Sequence, residues 1–352
     1  MTNIEKQLLI LIQVALGHEV PKEIENLNWD ELRILAIKQG VAPIVCDALV
    51  KYKNAGCFNE RIDRKLIVST LEQEQRFEKQ EQVMHQLARF YGKHGIRMMV
   101  IKGWGLSRNF PVPKHRYCCD MDIYLFGDIE KADRLIEEKL NVKVDNSHHN
   151  HSVFRVNSVV IENHYDFVNV HSHRSSKMVD QWLKDHAQDA VEVDDVWLPS
   201  ADFNALYVLF HAAAHFAAEQ ITLRHVLDWA LLVENYHDEI DWNAHWAMIK
   251  KLNMDQFMMA LNYICVYHLG FDEKRFKVDI DPKMAERVLG DILSPEYQGE
   301  SKKGVLRYIY SRFRKWWANR WKHRMVYRES LLSTFIQQAW AHLQKPSSLM
   351  KK

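Results

Sequence analysis

The chain has 352 residues, 47% apolar and 26% charged, with 47 Lys/Arg against 46 Asp/Glu and a net charge of +1. That length predicts two or three folded units, and the balance excludes a disordered chain and a protein that holds nucleic acid by bulk charge. The charge is unevenly placed: residues 302–328 carry ten Lys/Arg and no acidic group, which leaves 37 basic against 46 acidic groups elsewhere.

Residues 1–92 read as a helical region. The apolar run 8-LLILIQVALG-17 precedes charged residues and no small-residue cleavage site, so a folded helix is expected there and not a leader. Segment 28-NWDELRILAIKQG-40 opens on Asn28 as a cap, repeats apolar residues at spacings of three and four, and stops at Gly40. A longer amphipathic helix is predicted over 60–94. The period then changes. The run 97-RMMVI-101 is a short buried strand closed by Lys102-Gly103, and Pro111 and Pro113 force an extended loop. Strands are expected at 121–126, 142–144, 152–157 and 159–168, with a helix at 129–140. Val-Asn-Ser-Val, from 156 to 159, marks a hairpin.

From residue 200 the chain returns to helices, at 201–219, 221–236, 242–252, 255–269 and 282–293, with a last helical stretch over 304–344. The longest uncharged stretch, 203–218, is too short to cross a bilayer, and membrane association is not expected. Five cysteines, at 46, 57, 118, 119 and 265, form no CxxC pattern and read as the reduced thiols of a cytoplasmic protein. The predicted architecture is α+β. A mixed β-sheet core with helices occupies 93–198. It is preceded by the helical region 1–92 and followed by a helical domain 199–300 and a basic aromatic C-terminal helix 301–352.

The chemistry concentrates in 116-RYCCDMDIYLF-126. Side chains alternate along a strand, so Asp120, Asp122 and Tyr124 share one face, and the two carboxylates lie about 6.5 Å apart at Cα. Like charges so placed need a cation or donor to offset them, and two oxygen-rich groups suit Mg²⁺ with phosphate oxygens completing its shell. In 159-VVIENHYDF-167 the same alternation puts Glu162, His164 and Asp166 on one face. Glu162 is favoured as a third ligand, with Asp166 as the alternative.

The order apolar-Lys-Gly, short helix, Pro-x-Pro, Arg, then Asp-apolar-Asp resembles the uncharacterised bacterial nucleotidyltransferase family of the polymerase-beta-like superfamily. Gly103, Asp120, Asp122 and Glu162 stand at the superfamily's pattern positions. The segment 162-ENHY-165 resembles the family's Glu-apolar-His-aromatic segment. His211, His215, Arg224 and Asp228 resemble its downstream His-x-x-x-His, Arg and Asp. Trp104 stands where that pattern has a small residue, and Asn163 interrupts the apolar frame around Glu162.

The resemblance implies transfer of NMP from an NTP to a hydroxyl acceptor: a small metabolite or sugar, an RNA end, or a protein side chain. It implies that Asp120 and Asp122 hold Mg²⁺ (or Mn²⁺), and that Glu162 holds a second metal or acts as base. Gly103 would let the backbone approach phosphate. Lys102 and Arg116 are either phosphate contacts or, respectively, a solvated strand end and a counter-charge to the aspartates. His164 is a supporting residue on the Glu162 face. The competing expectation is a catalytically degenerate member that binds nucleotide, RNA or a partner.

Three further features remain. The cluster 148-HHNH-151 matches no zinc spacing and reads as a polar loop beside the sheet. His211 and His215 lack the Glu of HExxH, so they read as hydrogen-bonded helix residues, with Arg224 and Asp228 as an ion pair one turn apart. The block 307-RYIYSRFRKWWANRWKHR-324 suits nucleic acid, an anionic membrane surface, or packing of its aromatics on the acidic remainder. Packing is favoured.

Overall fold

In a computed structural model, residues 1–18, 27–54, 62–171, 173–296, 314 and 316–334 are described. In chain order, helices α1 (Asn3–Leu16), α2 (Trp29–Lys38), α3 (Ala42–Asn54) and α4 (Arg64–Lys93) lead into strand β1 (Met99–Val100) and the one-turn helix α5 (Trp104–Ser107). Strand β2 (Met121–Tyr124), helix α6 (Ile129–Leu140), strands β3 (His151–Val156) and β4 (Val159–His164) and helix α7 (Arg174–His186) follow. Next come strands β5 (Val191–Val193) and β6 (Val196–Leu198), and helices α8 (Ala201–Ala218), α9 (Leu223–Tyr236), α10 (Trp242–Leu252), α11 (Asp255–Leu269) and α12 (Pro282–Leu293). A short helix, Arg320–Val326, closes the described part. Two compact units result: Met1–Leu71 with Val208–Arg328, and Glu72–Tyr207 with Glu329–Lys352.

The second unit carries one six-stranded mixed sheet in the order β3-β4-β2-β1-β6-β5. Strands β4 and β2 run parallel, as do β1 and β6, and the other three pairings are antiparallel. Alternation divides the sheet's two faces. Met121, Ile123, Phe154 and Ile161 join Val83, Met84, Leu87 and Tyr91 of α4 and Ala132 and Ile136 of α6 in one buried core. Asp122 and Glu162 are therefore directed to the other face.

Asn163 has a structural reason to interrupt the apolar frame. It is fully buried on the core face, where its Nδ2 donates to Asp133 Oδ1 of α6 at 3.0 Å, and Ser152 Oγ donates to the same oxygen at 3.0 Å. This polar knot ties α6 to β3 and β4. The hairpin falls at the predicted place: Asn157 and Ser158 both have positive φ, 48° and 66°, as a two-residue turn matched to strand twist requires.

Other expectations are corrected. No strand forms over 142–144; Val144 is buried in the core and only Asp145 bridges β3, opposite Val153. Strand β4 ends at His164, because Asp166 turns to Lys184 and the Phe167 N–H donates to Asp180 Oδ1 at 2.7 Å. Helix α7 and the β5–β6 hairpin were not expected. The helix buries only Val179 and Leu183 of its apolar residues, and the strands are three residues each, so both carry weak periodicity.

The first unit is helical among its described residues. The predicted helices over 28–40, 201–219, 221–236, 242–252, 255–269 and 282–293 form within two residues of their expected bounds. Much of the expected 304–344 helix lies outside the described residues. Among its described residues, helix Arg320–Val326 is packed: Trp321 stands edge-on to Phe216, Arg287 lies over the Trp321 ring at 4.0 Å, and Lys322 is buried against Asp291.

Lys322 and Asp291 are 1% and 0% exposed at their side chains. Lys322→Met should therefore destabilise the protein by roughly 3–5 kcal/mol in urea unfolding, since it strands a buried carboxylate. Lys322→Met with Asp291→Leu should recover most of that loss. A single variant unfolding at the wild-type midpoint would contradict the pairing.

Candidate active site

The site is built on β2 and β4, which run parallel with Asp122 opposite Glu162 and Tyr124 opposite His164. Strand β3 then pairs His151 with His164 and Val153 with Glu162. Three adjacent strands thus bring Asp122, Glu162, His164 and His151 to one face, with Asp120 two residues before Asp122.

Asp122 is the buried centre, 2% exposed. Its Oδ1 receives Lys102 Nζ at 2.9 Å and His164 Nε2 at 2.9 Å. Burial raises the cost of its charge, but Lys102 and then His164 outweigh burial and hold the carboxyl well below its ordinary range. Lys102 is in turn held above its ordinary value; burial opposes its charge, and Asp122 more than offsets this. His164 is placed to donate from both ring nitrogens, since Nδ1 faces the Asp166 carbonyl at 3.2 Å. Burial opposes its charge, but Asp122 and Glu162 raise it to about 9, so the ring is an imidazolium.

Glu162 Oε2 lies 3.5 Å from His164 Nε2 and 3.8 Å from His151 Nε2. The His164 contact lowers Glu162 and keeps it ionised. Burial pushes His151 down to about 4, so it is a neutral ring, and its buried Nδ1 has no hydrogen-bond partner. Asp120 is half-buried, and burial together with the Asp122 charge raises its carboxyl. Tyr207 closes the Lys102 side, with Nζ 6.0 Å from its ring centre.

Sequence-expected residues sort by place. Asp120, Asp122, Glu162, His164 and Lys102 come together. Asp166 does not: it pairs with Lys184 at 2.5 Å, beside Asp180. Arg116 is buried, and its Nη1 donates to the Gly103 carbonyl at 3.2 Å and to Cys118 Sγ at 3.1 Å, so it braces the turn. Gly103 has φ +57° and ψ −113°, a conformation that disfavours any side chain. Trp104 turns its indole away onto α4, donating to Glu81 Oε1 at 2.6 Å. His151 was read only as part of a loop. The two-residue turn at 157–158 contains the signal that places it, because counting outward from that turn pairs 151 with 164.

Three carboxylates face two cations, Lys102 and His164, which leaves one negative charge uncompensated. Asp120, raised by burial and then by the Asp122 charge, is the group a further cation would relieve. The oxygen donors Asp120 and Asp122 fit a hard divalent ion. His151, Glu162 and His164 also have possible ligand atoms within 4.8 Å of one another. That set needs a deprotonated His164, at the expense of its bond to Asp122.

The second unit thus gathers these carboxylates beside the Lys102-Gly103 turn on one face of a mixed sheet. The chain belongs to a family described as uncharacterised nucleotidyltransferase, whose model matches residues 25–270. Among solved structures, the Megavirus polyadenylate synthase aligns with a TM-score of 0.30 and 13% identity, over 62% of this chain and 40% of that one. The chain thus spans less than half of that protein's length. No curated protein matches. Among the described residues, no helix is long and apolar enough to cross a membrane.

The His164 charge makes a pH prediction for metal-free protein. Its folded value, about 9, lies above the ordinary 6.5, so its contribution to stability is complete below about 6.5 and is lost as pH rises through about 9. The urea-midpoint gap between wild type and His164→Gln should shrink over that window. A gap that stays constant or widens with rising pH would contradict the imidazolium assignment.

Proposed function

We propose that the Glu72–Tyr207 unit transfers NMP from an NTP to an acceptor hydroxyl, with Mg²⁺ held by Asp120 and Asp122. The observation that carries this reading is the register of β2 and β4. It sets Glu162 beside Asp122 on the face that also holds Asp120, with Lys102 fixed at the end of β1. Asp120 and Asp122 would hold the divalent ion, which would supply positive charge to offset that of the triphosphate and the leaving pyrophosphate.

The chain's own groups do the rest. Gly103 bares its backbone at the strand-to-helix turn, where a triphosphate can approach closely. Lys102 contributes a fixed positive charge beside Asp122. Glu162, ionised, accepts the acceptor hydroxyl's proton as that oxygen bonds to the α-phosphorus and the bond from the α-phosphorus to pyrophosphate breaks. His164 spans Asp122 and Glu162 and fixes their separation, so it is a positioning residue. Neutral His151 lines the Glu162 side.

Calorimetry tests the reading. Wild type with Mg²⁺ should bind at least one NTP, and Asp120→Asn with Asp122→Asn should lose that binding by more than tenfold, because the loss of one charge-assisted contact alone costs about that much. Binding without Mg²⁺, or equal binding by the folded double variant, would overturn it. Given a bound nucleotide, Glu162→Gln should keep the binding and lose turnover with any acceptor found. Retained turnover in Glu162→Gln would remove Glu162 as the base.

A further inference from the structure

Three helices of the first unit each bring a pair of residues, four apart in sequence, to a common space. Trp229 and Val233 come from α9, Trp242 and Trp246 from α10, and Met258 and Asn262 from α11. Residues i and i+4 share a helix face, so each pair acts as one wall. The chain beyond Gly270, which ends α11 with a φ of 77°, supplies the fourth side through Glu273, Lys274, Arg275 and Lys277. The space enclosed is a pocket of about 150 Å³. An apolar cavity of about that volume holds one benzene ring.

Hydrogen bonds set the walls. The Trp229 indole N–H donates to Asn262 Oδ1 at 2.8 Å, and Asn262 Nδ2 donates to the Lys277 carbonyl at 2.9 Å, which ties α9, α11 and the chain after α11 together. The Trp242 N–H donates to the His237 carbonyl at 2.9 Å. Trp229 and Trp242 stand edge to face, with ring centres 6.4 Å apart. Both indoles spend their polar edge on the framework and leave aromatic carbon as the lining.

The charge of the lining selects among rings. Three of its Lys/Arg residues face one acid, Glu273. Arg275 is engaged by Glu234: its Nη1 donates to the Glu234 carbonyl, and its Nε lies 4.0 Å from Glu234 Oε2. Lys274 and Lys277 are exposed, and Lys277 Nζ lies 4.8 Å from the centre of the Trp246 ring. We propose that this pocket binds a small planar ring bearing an anionic group, a carboxylate or a phosphate. The ring lies against Trp229, Trp242 and Met258, and the anion meets Lys274 and Lys277. A cationic ring would meet the same two lysines unfavourably. This site goes beyond the transfer chemistry and does not depend on it.

NMR of the tryptophan indole N–H groups reads the walls directly. Benzoate, phenyl phosphate and neutral benzamide are titrated separately into the full chain, up to millimolar concentration. At least one anion should shift the Trp242 and Trp246 signals saturably, and the tighter of the two identifies the charged group. Benzamide should bind at least about threefold more weakly, the scale of one exposed charge contact. Lys274→Gln with Lys277→Gln, both at exposed positions, should weaken that anion about tenfold, as two such contacts, and leave benzamide unchanged. Trp246→Leu, if its spectrum shows it folded, should weaken all three probes about tenfold, the scale of one ring contact. If it does not fold, the lysine variant alone decides. No saturable shift with either anion, benzamide binding as tightly as the better anion, or unchanged anion affinity in either folded variant would overturn the proposal.

Discussion

A carboxylate that is 2% exposed has to be neutralised, and Asp122 is neutralised twice, by Lys102 and His164 at the same oxygen. Much of the sheet's design serves that point. Strand β1 is two residues long and ends where Lys102 can reach Asp122, and the Ile101 N–H donates to the Asp122 carbonyl at 3.1 Å. Strand β4 runs parallel to β2 in the one register that puts Glu162 level with Asp122 and brings His164 within reach. A slip of one residue would place Ile161 or Asn163 on the site face and break both faces together.

The same strands carry a second polar constellation on the opposite face. Asn163 and Ser152 both donate to Asp133 of α6, buried within an otherwise apolar core. Burial raises the Asp133 carboxyl, and the two donors work against that rise. One face thus uses polar groups to seat a helix, and the other uses them to assemble charge. Because Asn163 and Glu162 are neighbours in β4, the packing of α6 and the position of the third carboxylate are set by one short stretch of backbone.

Much of this was legible in the sequence where a local rule applied. Alternation placed Asp120 with Asp122 and Glu162 with His164. The Asn157-Ser158 turn fixed the hairpin. The Asn28 cap and Gly40 bounded α2 closely. What was not legible depended on partners distant in sequence. Nothing near Arg116 says that it faces the Gly103 carbonyl, and nothing near Asp166 says that Lys184 will take it. Trp104 looked like an obstruction in the phosphate turn, yet it packs on Glu81 of a helix more than twenty residues earlier. Helix α7 stayed hidden because it buries few apolar residues, and the strand expected at 142–144 failed because one bridge is all that the edge of β3 receives.

The central claim is that the Asp120–Asp122 carboxylates hold a divalent ion in contact with nucleotide phosphate. Electron paramagnetic resonance of Mn²⁺ added with an NTP addresses it directly. Expected is a bound ion whose signal shows coupling to phosphorus in the wild type, lost in Asp122→Asn while the fold persists. Mn²⁺ bound equally in that variant, or bound in the wild type with no phosphorus coupling, would contradict it.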